Sequence, residues 1–226
     1  MAEAVSPITR QVTKESQELG TPSVEYGLED VEDCLIYDRH GVPVPFKKLY
    51  HDRKAVIIFV RNFLCYSCKE YVEDLSKIPG EALEEADIRL VVIGQSAHRH
   101  IEPFCSLTAY PHEIYVDPER RIYQMLGMKR EEKFTESGMH PHVKSGIFMG
   151  QLKSIWRAMT SPAFDFQGDM HQQGGAVIAG PGNAPRVHFS HFDTNHLDHM
   201  PIDWLLQLAG VHHTLDFGDK PKIVDV

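Results

Sequence analysis

One stretch limits the folds open to this chain more than any other. Residues Ala55 to Gly80 read AVIIFVRNFLCYSCKEYVEDLSKIPG. A run of β-branched and aromatic residues from Ala55 to Phe63 reads as a buried strand. The pattern then becomes helical, with Tyr71, Val72, Leu75 and Ile78 spaced three or four apart on one face, and Pro79-Gly80 stops it. Cys65 and Cys68 sit at the junction, one at the cap and one in the first turn. A helix N-terminus carries unpaired N–H groups and roughly half a positive charge, which stabilises a thiolate. The thiolate is the nucleophilic form of cysteine. The junction therefore points to redox thiol chemistry.

The flanking chain places that junction in a sheet. Cys34 to Tyr37, a turn at Asp38–Gly41 and a short return over Val42 to Phe46 predict an N-terminal hairpin, whose two prolines suit an edge. Ile88 to Gly94 reads as a second buried strand, followed by a helix from about Ala97 to Thr108. His112 to Val116 predicts another strand, and Asp117-Pro118 opens a helix with Ile122, Met125 and Leu126 facing inward and Gly127 closing it. Residues 128–173 read as an insertion, with Phe148, Leu152, Ile155, Trp156 and Met159 at helical spacing. Gly174 to Gly180 and Arg186 to Phe192 predict a hairpin turning at Pro181–Ala184. A last helix opens at Pro201, with Trp204, Leu205 and Leu208 on one face, and ends at Gly210. Strands alternating with helices, with Cys-x-x-Cys after the first central strand, give an α/β chain of thioredoxin-like fold: a mixed central sheet flanked by helices, with an N-terminal hairpin and a helical insertion. One folded unit is expected over 28–215, between a mobile tail at 1–27 and a frayed end at 216–226.

Composition narrows the partners. The net charge of −9 argues against nucleic acid, which calls for a basic patch. The longest apolar run, Ala55 to Val60, is far short of the ~20 residues that span a bilayer, so no membrane partner is expected. The first twenty residues lack the apolar core of a secretory signal. Four cysteines do not suggest a disulfide scaffold, which is consistent with a reduced, cytoplasmic setting. Zinc would need four ligands; there is a single Cys-x-x-Cys, and His188, His191, His196 and His199 read as surface or hydrogen-bonding histidines. No metal or cofactor is called for. Glu70, Glu73 and Asp74 read as the solvated face of the cysteine helix, and Cys34 as a small buried hydrophobe. Cys105 is a weaker candidate for a resolving thiol.

The segments FLCYSCKEYVEDLSKIP, VVIGQSAHRHIEPFC, HEIYVDPERRIYQMLGM and FDFQGDMHQQGGAVIAGPGN, with the closing Leu197 to Gly210 helix, resemble peroxiredoxin-like proteins carrying an AhpC/TSA (alkyl hydroperoxide reductase/thiol-specific antioxidant) domain. The resemblance runs from about Val31 to His213. It implies thiol-dependent reduction of peroxides, and a relative acts on prostaglandin-type endoperoxides with electrons from NADPH through thioredoxin. The sequence departs from the peroxiredoxin signature Pro-x-x-x-Thr/Ser-x-x-Cys: laid over Cys68, the Thr place holds Cys65 and the Pro place holds Arg61. Gly174-Gly175 stands where a peroxiredoxin carries an Arg and a thioredoxin a cis-proline. Arg61 and Lys69 are the candidates to supply the positive charge. The implied chemistry is attack on the peroxide by one cysteine, Cys65 on grounds of exposure or Cys68 by alignment. A Cys65–Cys68 disulfide follows, and thioredoxin or glutathione resets it. The competing expectation is a non-enzymatic redox sensor on the same fold that binds a protein partner.

Overall fold

The computed structural model describes residues 28–130, 168–182, 186–195 and 197–211. A seven-stranded mixed sheet has the order β2-β1-β5-β4-β3-β6-β7. Its strands are β1 (Leu35–Tyr37), β2 (Pro43–Pro45), β3 (Lys54–Phe59), β4 (Ile88–Gly94), β5 (Glu113–Val116), β6 (Gly175–Ala179) and β7 (Val187–Phe192). β3, β4 and β5 run parallel, while β6 lies antiparallel against β3 and β7 against β6. The helices are α1 (Tyr66–Leu75), α2 (Gly80–Glu85), α3 (Ile101–Thr108), α4 (Arg121–Met125) and α5 (Ile202–Ala209).

The apolar run of β3 is explained by burial on both faces. Strand side chains alternate between faces. Val56 and Ile58 pack with Leu90 and Val92 of β4 against α1, α3 and α5. Ala55, Ile57 and Phe59 pack with Val91 and Ile93 against α4 and the N-terminal segment, through Ile122, Tyr123, Leu28 and Phe46. The central sheet is thus the middle of three layers.

Several expectations shift at their edges. β3 stops at Phe59 rather than Phe63, because Val60–Leu64 leave the sheet to form the approach to α1. The stop at Pro79 also starts a helix: α1 ends at Leu75, and Pro79 caps α2, which the sequence reading missed. The helix expected from Ala97 begins with a 3-10 turn at His98–His100 and becomes α-helical at Ile101. The helix expected at Asp117 starts at Arg121, yet the Asp117 carboxylate still accepts the Ile122 N–H at 2.9 Å and closes its first turn. The insertion helix around Phe148–Met159 and the two tails lie outside the described residues.

Three helix faces differ from expectation. Met125 is exposed, and Ile122 and Tyr123 carry the buried face of α4. Trp204 is 63% exposed and Leu208 is also exposed, whereas Ile202, Leu205, Leu206 and Ala209 are buried. The buried stripe has the i, i+3, i+4, i+7 spacing, and Trp204 lies outside it. Asp74 is fully buried and Glu70 nearly so, so this face of α1 is not solvated; Lys77 Nζ donates to Asp74 Oδ1 at 2.9 Å. Leu205→Ala should destabilise the fold by about 2–5 kcal/mol, whereas Trp204→Ala should stay within about 0.5 kcal/mol of wild type, as read by urea unfolding midpoints.

Candidate functional site: a buried thiol pair held by Arg61

The C-terminal ends of β3 and β4 form the floor of the site. Tyr123 Oη donates to the carbonyl oxygens of Val60 and Ile93, each at 2.8 Å, which braces the two strand ends together. Beyond Val60 the chain turns on Asn62. Its Oδ1 accepts the Leu64 N–H at 3.1 Å, and its carbonyl accepts the Cys65 N–H at 3.2 Å. That turn delivers Cys65 as the N-cap of α1, with φ −65° and ψ 120°, and its sulfur accepts the Cys68 N–H at 3.2 Å. A sulfur thus takes the place usually filled by a Ser, Thr or Asp oxygen.

Arg61 completes the site. Its side chain folds back so that Nη2 lies 2.8 Å from Cys65 Sγ and 3.1 Å from Ser67 Oγ. Ser67 Oγ is itself 3.2 Å from Cys65 Sγ. Arg61 is only 5% exposed, so its charge acts on the sulfur with little water to screen it. Burial pushes the Cys65 thiol up, but the hydrogen bond with the Cys68 thiol, the Arg61 charge and the Ser67 hydroxyl outweigh it and hold Cys65 well below the usual thiol range. Burial and the neighbouring Cys65 thiolate push Cys68 well above that range. The site thus pushes the two sulfurs apart, Cys65 toward the thiolate and Cys68 toward the thiol. Both cysteines are free, and Cys65 is the more accessible at 7% exposure.

The Arg61 backbone is fixed from the far side. Buried Gln95, just past β4, donates from Nε2 to the Arg61 carbonyl and to the Asp169 carbonyl, the latter at 3.1 Å, and accepts the Asp169 N–H at 2.9 Å. Asp169 Oδ2 in turn accepts from Arg120 Nη1 at 2.5 Å and Arg130 Nη2 at 2.8 Å. Gly168 permits this contact: its φ is +113°, and a Cβ there would stand 2.6 Å from Gln95 Cγ.

Of the other sequence candidates, Lys69 pairs with Glu73 along α1, and it is Arg61 that brings charge to the sulfur. Cys105 is half-buried in α3, and burial pushes its thiol up. Cys34, also only half-buried, is 3.8 Å from the Met125 thioether. His188 pairs with the Gly180 carbonyl and His191 with that of Asp198, while His196 lies outside the described residues. Among the described residues no group of three His, Cys, Asp or Glu side chains converges as metal ligands do.

Sequence reading missed a buried pair beside the cysteines. Asp193, just past β7, has its Oδ2 3.0 Å from His199 Nδ1, and the His199 ring packs on Tyr71 of α1 with ring centres 4.9 Å apart. Burial pushes the Asp193 carboxyl well up and His199 down to about 4. The one signal for it in the sequence is the His-rich stretch, whose expected hydrogen-bonding role His199 fills.

A parallel β3–α1–β4–α3–β5 unit with antiparallel flanks and Cys-x-x-Cys at the N-terminus of α1 defines a thioredoxin-fold thiol protein. Comparison with known proteins narrows the class. The AhpC/TSA antioxidant enzyme family matches residues 74–195, a span that begins within α1 and so leaves both cysteines outside it. Peroxiredoxin-like 2C of Takifugu rubripes is 70% identical over 229 residues, covering 100% of each chain. Peroxiredoxin-like 2C of Homo sapiens is 52% identical over 227 residues, covering 99% of each. The crystal structure of peroxidoxin BcpB from Mycobacterium tuberculosis superposes with a TM-score of 0.52 at 12% identity, over 80% of this chain and 93% of that one, a likeness of fold. The chain belongs to the peroxiredoxin-like AhpC/TSA family of thiol-dependent antioxidant oxidoreductases. Among the described residues no helix is long and apolar enough to cross a membrane.

Proposed function

We propose that this protein reduces peroxides through a Cys65/Cys68 couple in the reducing cytoplasm. The observation that carries the reading is the buried Arg61 guanidinium 2.8 Å from Cys65 Sγ, which keeps a nucleophile ionised in an apolar setting. The Cys65 thiolate attacks one peroxide oxygen and breaks the O–O bond, leaving a sulfenic acid and an alkoxide or hydroxide. Cys68, held as a thiol one helical turn away, attacks that sulfenic acid; water leaves and a Cys65–Cys68 disulfide forms. An external dithiol such as thioredoxin, or glutathione, restores the pair by exchange. The order follows from the acidities: the thiolate attacks first, and the thiol resolves.

Cys65→Ser should abolish hydrogen peroxide consumption in an assay coupled to NADPH through thioredoxin. Cys68→Ser should allow a single stoichiometric oxidation, trapped as a sulfenic acid, without turnover. A Cys65→Ser variant that still turns over peroxide would sink the assignment. The burial of both sulfurs favours a second reading, a redox sensor that oxidises slowly and changes its affinity for a protein partner. Oxidation of the wild type without turnover is the result that reading predicts.

A further inference from the structure

The proposed chemistry leaves a proton to be found. A thiolate and a thiol turn ROOH into ROH and water, whose three hydrogens need one from the peroxide, one from Cys68 and one more. Consuming the thiolate also leaves Arg61 buried without its counter-charge, a costly state.

Asp193 can meet both needs. It is 2% exposed, its Oδ2 shares a hydrogen bond with His199, and no hydrogen bond reaches its Oδ1 from the described residues. Oδ1 stands 3.7 Å from His191 Nε2. The backbone opens the space: a Cβ at Gly174 would stand 3.3 Å from Asp193 Oδ2. The ionisable groups within its electrostatic reach come from every element around it: Arg61 and Cys65 from the approach to α1, Tyr71 from α1, Tyr123 from α4, His191 from β7, and Asp198 in the turn that follows. Burial first, then the Asp198 carboxylate and the Cys65 thiolate, disfavour its carboxylate, while the Arg61 charge favours it. Removing the thiolate takes away one of these opposing charges and leaves Arg61, which shifts the carboxyl toward ionisation.

We propose that Asp193 is a redox-linked proton store, holding a proton with His199 while Cys65 is a thiolate and releasing it when Cys65 is oxidised. This rests on the Cys65/Cys68 reading above. The reaction then balances: ROOH, the Cys65 thiolate, the Cys68 thiol and the Asp193 carboxylic acid give ROH, water, the disulfide and the Asp193 carboxylate. Two electrons pass from the sulfurs to the O–O bond, and the net charge is unchanged. Asp193 acts here as a positioning and counter-charge residue.

The test uses dithiothreitol in place of peroxide, so it is independent of the substrate. Reduced and oxidised full-length protein is equilibrated with a dithiothreitol redox buffer at about pH 6.5 and about pH 7.5, below the range where that dithiol ionises. With Asp193 the protein couple releases two protons, as dithiothreitol does, so the disulfide-to-dithiol ratio should change less than about twofold between the two pH values. In Asp193→Asn the couple releases one proton, and the ratio should fall about tenfold. A wild-type ratio that itself falls tenfold overturns the proton store and leaves the couple standing. A wild-type ratio that rises with pH overturns the Cys65 thiolate, and the inference with it. Should the variant not fold, infrared difference spectra of the wild type decide the matter. Oxidation should remove a protonated-carboxyl band, and its persistence overturns the proposal.

Discussion

Arg61→Met should raise the Cys65 thiol into or above the ordinary range and cut its alkylation by iodoacetamide at neutral pH by roughly 10- to 100-fold, since each pKa unit removes about nine-tenths of the thiolate. The sign follows from the site. The guanidinium lies 2.8 Å from Sγ, and with it gone only burial, which favours the neutral thiol, and the hydrogen bonds with the Cys68 thiol, the Ser67 hydroxyl and the Cys68 N–H remain. In the wild type the alkylation rate should be nearly flat from neutral to mildly alkaline pH, because the thiol is already ionised. In the variant it should climb about tenfold per pH unit. Arg61→Lys should fall between the two, since the lysine chain ends one atom short of Nη2, the nitrogen that meets both Cys65 Sγ and Ser67 Oγ, and its ammonium is the more strongly hydrated. A flat profile in Arg61→Met would assign the ionisation to the helix end alone.

Gly174→Ala should cost at least about 3 kcal/mol, read as a lowered urea midpoint with an unchanged slope. A Cβ at this position would lie 2.0 Å from the Phe59 carbonyl oxygen, which belongs to the backbone of a central strand and has no flexible side chain to yield. The same atom would press on Asp193 Oδ2 at 3.3 Å. Gly80→Ala is the matching control: an added Cβ meets nothing within 4 Å, and stability should hold or rise by about 0.5 kcal/mol. The missing side chain at 174, which in the sequence reads as a lost peroxide-binding arginine, is in the structure what lets β6 and Asp193 close on the end of β3.

What was legible in the sequence was set by local rules. The apolar runs of β3 and β4, the i, i+3, i+4 stripe of α1 and the cysteines at its start depend on neighbours in the chain, and they are found where expected. The errors fall where tertiary contacts decide. Trp204 looked like an anchor because it is large, but which face of α5 turns inward is set by the sheet, which takes Leu205 and Leu206. Asp74 looked solvated because it is charged, yet Lys77 three residues on lets it be buried. Arg61 could be named as a source of charge, but where its guanidinium points depends on a turn built by Asn62 and held by Gln95, 34 residues away. Asp193 and His199 meet Tyr71 only through the fold, and nothing in their spacing announces the thiols.

Cys65 is also the hook that fastens the first turn of α1, through the Cys68 N–H. Any reaction that spends the sulfur's negative charge weakens that fastening in the same event, and with it an N-terminal cap of the kind worth about 1 kcal/mol. In the proposed cycle, oxidation at Cys65 would therefore be felt mechanically as well as chemically, as a loosening of one helix end.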